Sequence, residues 1–557
     1  MRKHVEQRLT GFSILAIVIA FVSAAVCSAT AFATTYYASE TGSDDADCLS
    51  DATAGSLTAA WSKAIMNGTA NPQFNNRIVL LSGTYDLAQV DSAKTGDTLK
   101  GGSYLRHGTT SGRTVTLSVE GAGETPADVV LTTTAAPSTS SKRAFHISGG
   151  TCITYVSNLT FDSFDISQNS QAAYNAVGAA IFKESGTMYV SNCVFKANKP
   201  KGDGALAVQG GGSSYLYGCE FDANVSALHN NGGSLTVDGC RLVNGVALKN
   251  SASGGSTVCT NCIFESFNST DTSVAGAYIY LTANGAAAVF KDCTFKDLKW
   301  SGTKTSWGIS IFLLTAKSRF ERCRFYNCGN AGSALGSVSL MGKSANNYVD
   351  GCVFSNCFYL TQGNALIVKN SLFIDSKLVN EKGLGSSLFA ATAKSDICNC
   401  TFTGTKGSVA KDIVGNAYLK NSLFYGNVNK LANGTSNGYD FKLSAVTVTN
   451  CFYERADGTA SATFFSDCGN RRIVSSVTDS GTQVASSDIK IAAVTDPMPL
   501  MHSKRSALRG AGWFDEAMLS WKDIAGNPRV AQRDGVNVVD IGAYQYHMIP
   551  GLIISMR

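Results

Sequence analysis

The chain has 557 residues, with 46 Lys and Arg against 41 Asp and Glu, and charged residues make up only 16% of it. A net charge of +5 over this length argues against a nucleic-acid-binding face or a basic membrane patch. The 55 Gly and 8 Pro, with plentiful Ser, Thr and Asn, suit short strands joined by tight polar turns.

At the N-terminus, Arg2, Lys3 and Arg8 precede an apolar run from Phe12 to Val26, and Ala31-Phe32-Ala33 offers small residues for cleavage. Residues 1–33 therefore read as an export signal, which places the mature chain, from Thr34, outside the cell or on its surface. Val26 is too bulky for the position before a lipid-modified cysteine, which argues against Cys27 as an anchor. No later stretch reaches the roughly 18 apolar residues of a membrane-spanning helix. Residues 34–100 are expected to form an N-terminal cap and first coil, with an amphipathic stretch around Trp61 and Ala64 followed by a strand from Ile78 to Leu81.

Repeats are expected across residues 101–475. Between Asn158 and Tyr453 one phrase recurs twelve times: a turn residue, a small residue, any residue, then a large apolar one. Asn192-Cys193-Val194-Phe195 is typical, and successive large apolar residues lie 19 to 34 positions apart. A fixed phrase with variable spacing is the signature of a solenoid whose loops tolerate insertion. The first position is Asn seven times, Gly three times and Asp once, with Arg322 the exception, so it should hold a left-handed bend. The small and the large residue flank one residue and should both point inward, leaving the third position exposed. The last position is Phe ten times. In coils about 4.8 Å apart these rings would form a continuous stack. The expected fold is all-β: a right-handed, single-stranded parallel β-helix with a short N-terminal cap.

The second position is Cys nine times, at Cys193, Cys219, Cys240, Cys262, Cys293, Cys323, Cys352, Cys400 and Cys451. Parallel side chains on neighbouring rungs keep Cβ atoms about 4.8 Å apart, beyond the roughly 3.8 Å of a disulfide, so these are expected to be buried ladder thiols. Cys328 and Cys357 each follow a ladder cysteine by five residues. They fall at the bend after the Phe, where side chains need not run parallel, and are a candidate disulfide in an oxidising compartment. Cys259 with Cys262, and Cys398 with Cys400, come nearest to zinc spacing, but no second pair completes either. Asp162, Lys196 and Asp222 follow the large apolar residue in three consecutive coils, a mutually neutralised exposed ladder. His107, His146, His229, His502 and His547 show no metal or triad spacing and read as surface or turn residues. Gly210-Gly211-Gly212 is a turn between strands rather than a phosphate loop.

Three resemblances add to this. Thr35-Tyr36-Tyr37, Gly42-Ser43-Asp44, the stretch around Trp61 and Ser82-Gly83-Thr84-Tyr85 resemble the opening of secreted proteins of the pectate-lyase-like β-helix superfamily. In that superfamily the helical stretch caps the first coil. In residues 476–546, expected to hold C-terminal coils, Ser506-Ala507-Leu508-Arg509-Gly510-Ala511-Gly512, Asp523-Ile524-Ala525-Gly526-Asn527-Pro528-Arg529 and Asp540-Ile541-Gly542-Ala543-Tyr544-Gln545-Tyr546 look like a bacterial choice-of-anchor Q region. Gln545 stands where that family commonly has Glu. The resemblance implies a secreted or surface-attached β-helix protein and no reaction. Phe195 with Asn198, Phe221 with Asn224 and Phe424 with Asn427 echo the Phe-x-x-Asn repeats of polymorphic outer-membrane proteins. The membrane barrel of those proteins has no counterpart here. Residues 547–557 form a short apolar tail.

Two function classes follow, because β-helices host enzymes and adhesins alike. The favoured one is a non-catalytic scaffold or adhesin contacting extracellular polysaccharide, matrix or cell-surface components. The alternative is a polysaccharide lyase or glycoside hydrolase, which would need clustered carboxylates and, if a lyase, calcium. The sequence shows no such cluster, so no catalytic residue, resident metal or cofactor is assigned.

Overall fold

A computed structural model describes residues 34–545, apart from internal segments of which the longest are 96–102, 170–176, 270–277, 301–309, 331–338, 376–388, 405–416, 428–439 and 490–505. The proposed export signal, the C-terminal tail, His502 and His547 lie outside the described residues. The chain divides into two compact units, residues 1–240 and 241–557.

In the first unit five coils each contribute one strand to each of three parallel sheets, and sheet A has one further strand at either end. Sheet A runs from Thr34–Ser43 through Asn75–Leu80, Val115–Gly121, Cys152–Ser157, Thr187–Ser191 and Ser213–Tyr217 to Ser234–Asp238. Sheet B holds Gly83–Asp86, Val129–Thr132, Thr160–Asp162, Val194–Lys196 and Glu220–Asp222. Sheet C holds Ser103–Gly108, Arg143–Ser148, Ile181–Lys183, Leu206–Gln209 and Ser226–Asn231. Each strand pairs in parallel with its equivalent one coil on, as Phe161 with Phe195 and Phe195 with Phe221. That arrangement is a parallel β-helix. The helix Leu57–Ala70 caps its start: Trp61 is buried, its ring 5.4 Å from Phe145, and its Nε1 donates to Arg106 O.

The second unit repeats the plan, with sheet A from Ser256–Thr260 to Val446–Thr449, sheet B from Arg241–Val243 to Gln483–Ala485, and sheet C from Val246–Asn250 to Phe389–Ala391. One further copy of the phrase escapes the apolar pattern. Gly469-Asn470-Arg471-Arg472 pairs with the Cys451 coil although Arg stands in the Phe position.

The aromatic column forms as expected. Phe161, Phe195 and Phe221 stack in the first unit, and Phe264, Phe295, Phe325, Phe354, Phe373, Phe402 and Phe424 in the second. Ring centroids lie 4.5 to 5.0 Å apart and planes agree within 9°. All twelve turn-column residues have φ between 47° and 62°. Arg322 tolerates it because its Nε and Nη2 fork onto both Asp292 carboxylate oxygens at 2.7 and 2.6 Å.

A second left-handed column lies two residues beyond the Phe, at positions such as Ser163, Ala197, Ala223, Ser266, Asn327 and Asp375, with φ from 48° to 61°. Ala and Ser do not announce such a bend, which costs them about 1 to 2 kcal/mol. Stacking overrides that cost, because each N–H donates to the next coil: Ser163 N to Lys196 O and Ala197 N to Asp222 O, at 2.9 and 3.0 Å.

Candidate functional site

The inward columns are structural. All nine ladder cysteines are buried. Each is placed directly after a left-handed residue, where the strand ladder is interrupted and a backbone N–H needs a side-chain acceptor. Cys219 N donates to Cys240 Sγ at 3.3 Å and Cys323 N to Cys352 Sγ at 3.4 Å. Ser371, Ser422 and Asn470 serve Cys352 N, Cys400 N and Cys451 N in the same way. In return Cys193 Sγ donates to Ser191 O. The column thus selects a small side chain that both donates and accepts. Burial pushes Cys193, Cys293, Cys323 and Cys400 up, and Cys451 to about 12, so these thiols stay protonated.

Cys328 and Cys357 depart from the expected bridge, for both are free, buried thiols. The second left-handed bend turns the following residue inward again, so their side chains run parallel as the ladder thiols do. Cys328 Sγ donates to Phe295 O and Cys357 Sγ to Phe325 O, each at 3.5 Å. In the first unit the same column holds Asn198 and Asn224. Asn198 Nδ2 donates to Phe161 O and Asn224 Oδ1, and Asn224 Nδ2 to Phe195 O, at 2.8 to 3.0 Å. The Phe-x-x-Asn echo is therefore an internal amide ladder.

The histidines correct the sequence reading. His107, His146 and His229 sit in strands of sheet C, 3%, 2% and 6% exposed: His107 lies in the inward column, in register with Ile147, while His146 and His229 share the outer column, which is buried there as well. His107 Nδ1 lies 2.8 Å from Thr154 Oγ1, and burial lowers this imidazole to about 4. His146 Nε2 lies 3.1 Å from Glu184 Oε2, and its ring stacks 5.2 Å from Phe182, which Arg143 also faces at 4.4 Å. This pair is the nearest approach to acid–base machinery. Phe182, which clusters with Val177 and Ala207, stacks on the imidazole, and at 2% exposure His146 cannot meet a polymer in this conformation, although Glu184 is 46% exposed. Lys183 is fully buried and donates to Gly211 O, and burial lowers it to about 8.

Among the described residues no three His, Cys, Asp or Glu side chains converge as metal ligands. Lys196 lies in register between Asp162 and Asp222, and Glu265 is claimed by Arg241 at 2.6 Å.

The outer face of sheet A in the first unit is different. Tyr155, Tyr189 and Tyr215 occupy one outward column, in register on consecutive coils. Their rings stack 4.9 Å apart with planes 10° apart, and all three are partly exposed. Tyr217 lies beside them, 6.5 Å from Tyr215. Small residues end the column, Ser118 before Tyr155 and Thr236 after Tyr215. Burial and then the neighbouring phenol raise Tyr189 above its ordinary value. The column offers neutral hydroxyls and ordered ring edges once per coil. Sequence reading missed it because the rings belong to strands whose lengths and flanks vary. The signal was there, a Tyr three residues before the turn residue in three successive coils.

The C-terminal motifs build a clasp rather than another coil. Residues 506–545 fold back on the outer face of sheets A and B within the second unit. Asp523 Oδ1 accepts from Ala525 N and Asn527 N, and its Oδ2 from Gln545 N. Gln545 Oε1 accepts from Asp540 N, a bond that an ionised Glu would also accept. Arg529, fully buried, donates through Nη2 to Asp540 O and Gly542 O at 2.6 Å. Docking uses the turn column: Asn421 Nδ2 donates to Trp513 O and Trp513 N to Asn421 Oδ1, both at 2.7 Å. Beneath the clasp Leu423 and Phe452 pack with Leu508 and Ile541, and Leu372 packs with Ala543 and Tyr544.

These features define a parallel β-helix protein with structural inward ladders and an aromatic outer column. No family model matches the chain, and no curated protein does. Among solved structures it is similar to a PL6 family alginate lyase, AlyGC, at 14% identity and a TM-score of 0.40, over 83% of this chain and 54% of that one. The chain thus spans about half the length of that lyase. The pectate lyase Pel9A matches at 12% identity and a TM-score of 0.28, over 93% of this chain and 97% of its own. A mannuronic-acid-specific polysaccharide family 6 lyase from human gut microbiota matches at 12% and 0.25, over 81% and 91%.

Proposed function

We propose that this protein is a secreted or surface-attached, non-catalytic β-helix scaffold that contacts an extracellular glycan or matrix polymer along the outer face of sheet A. The supporting observation is the column Tyr155, Tyr189 and Tyr215. Stacked on one another, these rings are already ordered, so binding costs them little side-chain freedom. Tyrosine joins an apolar body to a polar tip, which suits a ligand with both C–H faces and hydroxyls. A group repeated once per coil suits a polymer that is itself repetitive. The second reading, a polysaccharide lyase or glycoside hydrolase, draws on His146 with Glu184 and requires the cover over Phe182 to open.

Affinity electrophoresis through gels containing individual polysaccharides tests the proposal. Retardation by at least one polymer is expected, weakened about tenfold by Tyr189→Ser, the loss of one central anchor, with no new chain ends released. Release of ends that His146→Ala abolishes would establish the enzyme instead.

A further inference from the structure

One thiol stands apart from the ladders. Cys398 belongs to the strand Asp396–Cys398 of sheet A, where Ile397 points inward and is fully buried. Strand alternation therefore turns Cys398 outward. Its neighbours in register are Lys369 on one rung and Lys420 on the other. Among the described residues the clasp covers it, for Met518 and Val539 pack with Cys398, which is 3% exposed. The clasp also brings Arg529 to the same place. Its Nη2 is committed to two carbonyls, while Nε and Nη1 have no hydrogen-bond partner and are buried. Cys398 is foremost among the groups that act electrostatically on this guanidinium. A buried cation with an open edge, close enough to act on a thiol that stands between two lysines, is an arrangement that no packing requirement explains.

We propose that Cys398 is a clasp-gated modification site that undergoes thiol–disulfide exchange with a low-molecular-weight disulfide once the clasp lifts, and that the adduct keeps the clasp from docking again. In the closed state burial, joined by the Asp396 carboxylate on the same strand, pushes the thiol up to about 12, against the pull of Arg529, Lys369 and Lys420. Lifting the clasp removes the burial and takes the rings of Trp521 and Trp513 off the Lys369 and Lys420 ammonium groups, whose strands stay beside Cys398, and this favours the thiolate. The thiolate sulfur attacks one sulfur of the disulfide and a new S–S bond forms. The other sulfur leaves as a thiolate and takes a proton from water, so the incoming disulfide is the only oxidant consumed.

The test labels the full chain with a chromogenic aryl disulfide and maps the modified peptides over time. Cys468, partly exposed, reacts in every sample and serves as the internal standard. Cys400, two residues away but inward, is the buried control. Leu423→Asp, which breaks the docking cluster, should speed labelling of Cys398 by at least about tenfold and leave Cys400 unchanged. Wild type labelled in urea below its global unfolding transition should show the same order, a readout independent of how the variant folds. Glutathionylated protein should be cleaved faster by protease within residues 506–545 than reduced protein. Equal labelling of Cys398 and Cys400 under both conditions would overturn the proposal. So would a clasp that proteolysis shows to be free while Cys398 stays unreactive, or an adduct without effect on clasp cleavage.

Discussion

Within the second unit the third position of the repeated phrase meets two environments. Ile263, Thr294, Arg324 and Val353 are partly or largely exposed, Ile263 at 42%. Leu372, Thr401, Leu423 and Phe452 occupy the same outer column of sheet B and are at most 5% exposed. Backbone periodicity is identical in the two stretches. What differs is the clasp, which lays Leu508, Ile541, Ala543 and Tyr544 over the second one. A period of two decides which way a side chain points, and a remote segment decides what it then meets.

The largest effect expected from this comparison is at Leu423. Leu423→Asp places a charge in an apolar cluster and should destabilise the clasped state by about 3 kcal/mol or more. Ile263→Asp, at the equivalent open position, should change stability by less than about 0.5 kcal/mol. Urea denaturation of the two variants checks this, and equal losses would erase the distinction between the stretches.

The covered coils also carry Asp440, fully buried, which accepts from Asn427 Nδ2, Glu454 N and Arg455 N at 3.0 Å each. Burial outweighs these donors and raises the carboxyl to about 7. Between about pH 4 and pH 7 the folded state therefore holds a proton that the unfolded chain has lost. Stability from this group is present at low pH, falls on the order of 4 kcal/mol as pH rises through that window, and is level above it. Melting temperature against pH should show this decline, and Asp440→Asn should flatten it. An unchanged slope in the variant would refute the assignment.

Smaller effects belong to the bends. Asn192→Val should cost about 1 to 2 kcal/mol and Asn192→Gly almost nothing, because only the β-branched residue resists φ of 49°. Ala197→Gly, in the second left-handed column, should stabilise by up to about 1 kcal/mol. Chemical denaturation of the three variants decides both points.

These contrasts show what was legible in the sequence. The Phe stack, the Asn bends and the ladder thiols were readable, because each depends on one residue type recurring at one place in the coil. The second bend was hidden, since Ala197 and Ser163 adopt it under pressure from the neighbouring coil rather than by preference. Cys328 and Cys357 were misread for the same reason, as that unseen bend is what turns them inward. His146 was misread because an outer column beneath packed cover looks, in sequence, like any other outer column. The clasp was foreshadowed by Leu372, Leu423 and Phe452 in a position that is otherwise mostly polar or β-branched. Its own motif residues, Asp523, Arg529, Asp540 and Gln545, turn out to hold the clasp together.

The most direct measurement of the functional account is hydroxyl-radical footprinting of the protein with and without a polymer that retards it. Oxidation of Tyr155, Tyr189 and Tyr215 should fall together when the polymer is present, with Glu184, the partner of His146, unchanged and the polymer's length preserved. Protection centred on Glu184, with the tyrosines oxidised as before and the polymer shortened, would contradict it.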